Sequence, residues 1–358
     1  MAAQSLGVSG TRIPLPAGNV LGASFYEGRG MFFVQQSVLS TESGGIAIHF
    51  HRQLSSWSLA NRSLVAMRSF DDNSKGAAFP CGRVEVSSTL DRIVMCSAGS
   101  YLEIVDPITL KTVGTMARTD DQIISDFAVD DPHKKVFVLS TQRNNSIRLT
   151  SYSLLNGGKQ DVAIVPGVEF TDLSIAINQK TGQIGISVDT PGRSGNKANV
   201  FTCRDVPNLM CARVVQINSV SQLVFFGSHL LIATSSFADD KKDCIVAIDS
   251  VSKSASREYC SPSTGVHYAV GVVDAKYVVG FTGIGKRKWF NEENESVTSS
   301  FSIWRAENPH VAAVAKDPTD YGAFQNEVRL VASATEPLFI AFQRVSNVLY
   351  LYDITDGK

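Results

Sequence analysis

The stretch Tyr101–Met116, YLEIVDPITLKTVGTM, reads as two short β-strands joined by a turn. β-Branched and other apolar residues flank the segment DPIT, whose Asp and Pro are typical of turns. Extended back to Val84, the segment becomes VEVSSTLDRIVMCSAGSYLEIVDPITLKTVGTM, a pattern of four strands connected in chain order. Four antiparallel strands joined in this way are the unit of a β-propeller blade.

The same pattern recurs along the whole chain of 358 residues, and no window of useful length shows amphipathic helical periodicity. The sequence therefore predicts an all-β protein with a single domain, residues 1–358, built as one β-propeller. Seven four-stranded blades fit the length. The expected blades cover residues 18–72, 76–118, 124–166, 171–217, 221–262, 266–316 and 326–358, with residues 10–16 added to the last.

Three aspartates give the period of the repeat. Asp106, Asp249 and Asp353 each lie at the expected end of a third strand, and they are separated by 143 and 104 residues. Divided over three and two repeats, these separations give blades of about 48 and 52 residues, within the range of known blade periods. The count is thus near seven, with six or eight blades as the alternatives.

The last repeat is incomplete. Residues 328–358 supply three strands, and the missing fourth strand is expected from the N-terminal segment TRIPLP, residues 11–16. Such a closure leaves no unpaired strand edge where the two chain ends meet.

The segment IVDPITLKTVGTM resembles the YVTN class of propeller repeat, in which a strand ending in V-I-D-P-x-T turns into K-V-x-x-T-I. The resemblance is good in the second repeat and partial in the fifth and seventh. Proteins with such repeats are commonly secreted or surface-associated, and some relatives are lactonases or cofactor-binding dehydrogenases. The resemblance therefore implies a fold family rather than one activity.

The nearly balanced charge argues against nucleic acid as a partner. The chain has 33 basic and 34 acidic residues, whereas nucleic-acid-binding modules usually carry a clear basic excess.

No run of about 18 apolar residues exists, so no membrane-spanning helix is expected. The first 16 residues lack the basic and apolar segments of a signal peptide. A leader removed before this start would leave the same sequence.

The six cysteines fall into pairs that are symmetric about expected hairpin turns. The midpoints of the pairs lie in the turn segments SSTLD, DVPN and SVSKS. Directly opposed residues of antiparallel strands lie within disulfide reach. We therefore expect the disulfides Cys81–Cys96, Cys203–Cys211 and Cys244–Cys260, and with them an oxidising compartment, extracellular or periplasmic. Six free buried thiols in a cytosolic protein are the alternative.

The longest expected loops connect second and third strands, which places them on one face of the propeller. They are QQSVLSTESGG, DTPGRSGNKAN, SSFADDKKD and GIGKRKWFNEENESVTSS. Long loops gathered on one face are often functional. In the last loop, Trp289 could stack on a ligand beside the cations Lys286, Arg287 and Lys288. A solvated loop whose opposite charges satisfy each other is the alternative.

A second candidate site is the central channel. His267 begins a first strand, the strand that lines the channel, and is a candidate ligand-binding residue. If the channel held a divalent metal, its ligands would come from residues at or just before successive first strands: Asp126, Asp172, His267 and Glu327. Capping of turns and strand starts is the alternative role for these four residues. No other cofactor is predicted.

No catalytic set can be assembled from the sequence, because it has no G-x-S-x-G nucleophile motif and no phosphate-binding loop that opens a helix. The leading hypothesis is a secreted or periplasmic, monomeric binding propeller that recognises a protein, a glycan or a small ligand on its loop-rich face. A metal-dependent hydrolase or lactonase is the alternative. A cofactor-dependent oxidoreductase is a third candidate.

Overall fold

The computed structural model describes residues 6–41, 48–70, 81–97, 101–117, 122–142, 146–165, 172–191, 197–205, 208–218, 220–234, 244–249, 252–260, 266–284, 298–316, 328–344 and 346–356. These residues form seven four-stranded antiparallel sheets. Among them the one helical turn is a short 3-10 segment, Glu27–Arg29, and no helix is long and apolar enough to span a bilayer.

Each sheet is one blade, and in blades 1 to 6 the strands follow chain order from the channel outward. Blade 1 contains β2 Asn19–Tyr26, β3 Met31–Thr41, β4 Ile48–Ser58 and β5 Leu64–Phe70. Blade 2 contains β6 Val84–Ser87, β7 Arg92–Ser97, β8 Tyr101–Val105 and β9 Thr112–Met116. Blade 3 contains β10 Gln122–Asp130, β11 Lys135–Gln142, β12 Ile147–Ser153 and β13 Lys159–Val165. Blades 4 to 6 contain β14 Asp172–Ile177, β15 Ile184–Thr190, β16 Lys197–Arg204 and β17 Met210–Asn218; β18 Val220–Phe226, β19 His229–Thr234, β20 Cys244–Asp249 and β21 Ala255–Cys260; and β22 Val266–Val273, β23 Tyr277–Ile284, β24 Thr298–Arg305 and β25 Asn308–Lys316.

Blade 7 closes the ring with strands from both ends of the chain. It contains β26 Val328–Ala332, β27 Leu338–Gln343 and β28 Leu349–Asp356, and the N-terminal strand β1 Leu6–Arg12 pairs with β28. The expected closure is confirmed. The strand ends at Arg12 instead of covering residues 10–16, because Pro14 and Pro16 have no N–H to donate to a ladder.

The hydrophobic core lies between neighbouring blades rather than in one centre. Seven clusters of buried side chains each join two adjacent blades, and together they go once around the ring. Since a blade is covered on both faces, its second strand is buried along almost its whole length, as in β11 and β15. Outer strands such as β5 and β9 are mostly exposed. The seven-blade expectation is confirmed.

The turn between third and fourth strands has one geometry in four blades. In blade 2 the Leu110 N–H donates to the Asp106 carbonyl at 2.9 Å, and Leu110 has a φ of 54°. The same bond recurs at the corresponding turns, from Arg62 to Ser58, Gly157 to Ser153 and Lys253 to Asp249, and each of these donors also has positive φ. The aspartates used to count repeats therefore mark a real structural position. Asp353 lacks the turn because β28 continues past it to pair with β1.

The three predicted disulfides are all present. Cys203 and Cys211 are direct partners in the ladder between β16 and β17, and Cys244 and Cys260 are partners between β20 and β21. Both of these pairs have Cα atoms 4.1 Å apart. Cys81 precedes β6, and its Cα lies 5.7 Å from that of Cys96 in β7. Each bond joins neighbouring segments of one blade.

Candidate functional site: the central channel

The channel along the propeller axis is a cavity of about 820 Å³ lined from all seven blades. Its walls are the first strands, β2, β6, β10, β14, β18, β22 and β26, which are packed side by side around the axis. A cavity of this volume falls within the usual range for small-molecule sites.

The two ends of the channel differ in the connections around them. First and second strands run antiparallel, so the loops from second to third strands lie at the end where first strands begin. Asp172 is the first residue of β14, Arg329 is the second residue of β26, and Arg344 directly follows β27. These three charged residues therefore lie at the loop-bearing end.

Several polar side chains of the channel bind the free backbone edge of a first strand. At Ile175 in blade 4, the backbone N–H donates to Asp126 Oδ2 at 2.9 Å, and the carbonyl accepts from Arg83 Nη1 at 2.7 Å. Arg83 belongs to blade 2 and Asp126 to blade 3, so these contacts tie three blades together. They satisfy groups that an unpaired strand edge would otherwise leave without partners.

Val129 and Leu330 are capped in the same manner. The Val129 N–H donates to Glu85 Oε2 at 2.5 Å, and its carbonyl accepts from Gln179 Nε2 at 2.6 Å. At Leu330 a single carboxamide makes both bonds: Gln222 accepts from the N–H at 3.1 Å and donates to the carbonyl at 2.7 Å. Gln222 lies in blade 5 and Leu330 in blade 7, so this bridge passes in front of blade 6.

Arg83 is also the centre of an ion-pair cluster. Its guanidinium lies 2.5 Å from Glu85 Oε1 and 3.1 Å from Asp126 Oδ2. Burial lowers the pKa of Arg83, but the two carboxylates outweigh burial and raise it above its ordinary value. Burial raises the pKa of Glu85, while Arg83 opposes that rise. Arg83 is 29% exposed because the channel is open, although protein surrounds it. These three charges are committed to one another.

Asp172 and Arg344 are arranged differently. The Asp172 carboxylate accepts the N–H of the next residue, Leu173, at 2.9 Å, and no side chain of the described residues lies within salt-bridge distance of it. Asp172 is exposed to the open channel, yet the protein around it raises its pKa by desolvation, and the positive charges of Arg329 and Arg344 oppose the rise. Arg344 is half-buried and lines the channel, with no hydrogen bond or ion pair to any residue of the described ranges. Blades 4 and 7 lie on opposite sides of the ring.

At the far end of the channel, turns of neighbouring blades contact each other. Glu27 in blade 1 accepts from Ser333 Oγ at 2.6 Å and from the Thr335 hydroxyl at 2.9 Å, both in blade 7. Asp131 in blade 3 accepts from the backbone N–H and the hydroxyl of Thr89 in blade 2, the latter at 3.0 Å. These carboxylates hold the ring together, so the loop-bearing end is the better candidate for a ligand site.

The residues expected to form a metal ring are only partly described. Asp126 and Asp172 line the channel from neighbouring blades. His267 lies in β22 and pairs with Thr282 in the ladder, but its side chain is outside the described part, as is Glu327 altogether. Within that part, no three His, Cys, Asp or Glu side chains gather closely enough to hold a metal ion. The metal ring stays a prediction.

The predicted loop site falls outside the described residues. Lys286, Arg287, Lys288 and Trp289 all lie between β23 and β24, in residues 285–297. The first expected loop is partly strand, since residues 35–41 continue β3, where Gln35 and Gln36 are buried. The remaining parts of the four loops, residues 42–47, 192–196, 235–243 and 285–297, are outside the described ranges.

Several channel residues were not anticipated from the sequence. Arg83, Glu85, Gln222, Arg329 and Arg344 lie in or beside strands whose pattern marked only their apolar residues. Arg83 and Glu85 flank Val84 at the start of a first strand. Because side chains alternate along a strand, Arg83 and Glu85 are expected on the same face. Arg344 follows a second strand, and no local pattern indicates that it reaches the axis.

Comparison with known proteins does not extend this description. No protein-family model matches the chain, and no curated protein is detectably similar to it. The fold defines the class: the chain is a seven-bladed β-propeller with three disulfides. The resemblance of residues 104–116 to the YVTN repeat stays a prediction.

Proposed function

We propose that this chain is an extracellular or periplasmic binding propeller that takes its ligand at the loop-bearing end of the central channel. The observation that carries the proposal is a cavity of about 820 Å³ with Asp172 and Arg344 at that end, neither of them ion-paired within the described ranges. In contrast, Arg83, Glu85 and Asp126 bind one another and the strand edges. Three disulfides support an oxidising compartment.

The rigid ring favours binding over a site that must rearrange. Arg83, Glu85, Asp126 and Gln222 join first strands of neighbouring and non-neighbouring blades. Such preorganisation lowers the entropic cost of ordering a site when a ligand arrives. Second strands end and third strands begin at this same end, so the connections between them would provide the surface for a larger glycan or protein ligand.

A channel-blocking substitution tests the proposal. Ser174 lines the channel two residues after Asp172, and a Trp in its place would fill part of the cavity. Val113 lies on an outer strand, is 53% exposed, and serves as the matched control site. Thermal unfolding would be followed with a panel of monosaccharides, oligosaccharides, sugar acids, amino acids and hydroxy acids. We expect at least one compound to raise the Tm of the wild type and of Val113→Trp, but not of Ser174→Trp. Equal responses of the two variants would contradict a channel site.

A metal-dependent hydrolase or lactonase is the second candidate, because Asp126 and Asp172 line the channel from adjacent blades. Against it, Arg83 contacts both oxygens of Asp126, at 3.2 and 3.1 Å, and its charge opposes a cation there. Metal content after dialysis against calcium, manganese or zinc separates the two functions. One ion per chain in the wild type, absent from Asp126→Asn, would favour the hydrolase. We expect no difference in metal content between these two proteins.

A further inference from the structure

We propose that the channel ligand is a small organic acid that carries a hydroxyl or ammonium group beside its carboxylate. Arg344 would bind the carboxylate and Asp172 would accept from the hydroxyl or ammonium. This inference rests on the proposed binding function and adds the chemical class of the ligand.

Asp172 and Arg344 line the same channel without forming an ion pair. The charges of Arg344 and Arg329 act on the Asp172 carboxyl, yet no guanidinium of the described residues lies within 4.0 Å of it. Elsewhere in the same channel the opposite charges are in contact, as between Arg83 and Glu85. A carboxylate and a guanidinium that line the same channel without contact leave a gap that a ligand with complementary groups can bridge.

The Arg344 side chain extends from blade 7 to the start of blade 2. Its guanidinium lies against Gly82, at the start of blade 2, so the side chain reaches past blade 1. A Cβ at Gly82 would lie 2.9 Å from Arg344 Nη2 and 3.0 Å from Nε, as well as 2.6 Å from the Leu21 carbonyl. The glycine therefore provides the space that the guanidinium occupies. A planar guanidinium held in this way can bind a carboxylate through two parallel hydrogen bonds.

The opposite charges of Arg344 and Asp172 favour one class of ligand over others. A neutral sugar would leave the Arg344 guanidinium desolvated without a charged partner. A simple anion such as acetate would pair with Arg344 but offer nothing to Asp172, whose negative charge would repel it. A hydroxy acid, a sugar acid or an amino acid satisfies both groups. Its donor would also offset the burial that raises the pKa of the Asp172 carboxyl.

Calorimetric titration of the purified full chain tests the inference with four probes at constant ionic strength. D-Glucuronate combines a carboxylate with hydroxyls, and L-serine combines a carboxylate with an ammonium. D-Glucose lacks the carboxylate, and acetate lacks the donor. We expect glucuronate or serine to bind at least about tenfold more tightly than glucose and acetate, since a charge-assisted bidentate pair contributes that much or more.

Three variants locate the binding. Arg344→Gln and Asp172→Asn should each weaken the better probe by about tenfold or more, with circular dichroism spectra like that of the wild type. Arg213→Gln, on the exposed outer strand β17, is the matched control and should bind like the wild type. Unchanged affinity in Arg344→Gln, or acetate binding as tightly as glucuronate and serine, would overturn the inference.

The failure of this inference can be told apart from the failure of the proposed function. If neither glucuronate nor serine binds, but another compound stabilises the wild type and not Ser174→Trp, the ligand class is wrong and the binding function stands. If every stabilising compound acts equally on Ser174→Trp, the channel is not the site and both proposals fail.

Discussion

The Arg52 guanidinium of blade 1 donates to the Glu103 carboxylate of blade 2 at 2.8 Å, and the two side chains are only 2% and 7% exposed. Arg52 also donates to the Cys96 carbonyl at 2.7 Å and lies over the Phe70 ring. A buried ion pair is costly to break, because removal of one partner leaves the other charge desolvated. We expect Arg52→Ala to lower the free energy of unfolding by about 3–5 kcal/mol, measured by urea denaturation.

A double variant is the control for this prediction. Replacing both charges, as in Arg52→Met with Glu103→Leu, removes the desolvation cost of both groups. It should therefore unfold at a higher urea concentration than Arg52→Ala alone. If Arg52→Ala costs less than about 1 kcal/mol, the ion pair is not a significant link between these blades.

Ring closure depends on the N-terminal strand. β1 pairs with β28 over seven residues, and the Arg62 side chain of blade 1 contacts both Thr11 in β1 and Asp353 in β28. Deleting residues 1–12 should expose one edge of β28 and destabilise blade 7. Hydrogen exchange would show faster exchange of the amides of residues 349–356, while amides of blade 3 keep their protection. Unchanged protection in blade 7 would contradict closure by β1.

Each disulfide should contribute more to stability the longer the loop that it closes. Cys81–Cys96 and Cys244–Cys260 span 15 and 16 residues, and Cys203–Cys211 spans 8. Loop-closure entropy gives about 3 kcal/mol for a loop of 15 residues, and less for the shorter loop. Replacing both cysteines of a pair with Ser should lower the free energy of unfolding most for the two pairs that close the longer loops. Peptide mapping without reduction would verify the pairing, and six alkylatable thiols in the native protein would refute it.

Asp172 should make the folded state less stable as the pH rises. Burial raises the pKa of its carboxyl, so the folded protein binds this proton more tightly than the unfolded chain does. The stability contributed by the protonated form is complete below the ordinary carboxyl pKa, and it is lost as pH rises through the folded pKa. Asp172→Asn should therefore melt at a higher temperature than the wild type at pH 7. This difference in Tm should disappear at about pH 4.

Asp106 is the control of opposite sign. The backbone N–H of Thr109 donates to its carboxylate at 2.8 Å, and this bond, with others from the same turn, lowers the pKa of Asp106. The stability it contributes is present above the ordinary carboxyl pKa and is lost as pH falls through the folded pKa. Asp106→Asn should therefore melt below the wild type at pH 7, with a smaller difference in acid. If both variants shift in the same direction at pH 7, the electrostatic account of Asp172 is wrong.

The repeat made the fold accessible from the sequence. Asp106 and Asp249 occupy equivalent turns, and the six cysteines are symmetric about hairpins, so period and register were both visible in one chain. The exact position of β1 was less accessible, because it depends on which of the first residues can donate to β28. The strand β3 also continues through residues 35–41, although the polar composition of this segment predicts a loop.

The channel was harder to predict, because its chemistry depends on contacts between blades. The sequence places Asp126 and Asp172 at first strands, but no local pattern indicates that Arg83 pairs with Asp126 and not with Asp172. Arg344 follows a second strand, and its contact with Gly82 joins residues more than 250 positions apart in the chain. Such relationships follow from the ring geometry, which local patterns do not encode.

In this account the channel charges divide into a structural set around Arg83 and a ligand-binding pair, Asp172 and Arg344. Urea unfolding of Arg83→Met beside Arg344→Gln tests this division without a known ligand. Arg83→Met should lose about 3 kcal/mol or more, because it leaves Glu85 and Asp126 without their cation. Arg344→Gln should stay within about 0.5 kcal/mol of the wild type. Comparable losses in both variants would contradict the account, since Arg344 would then be as structural as Arg83.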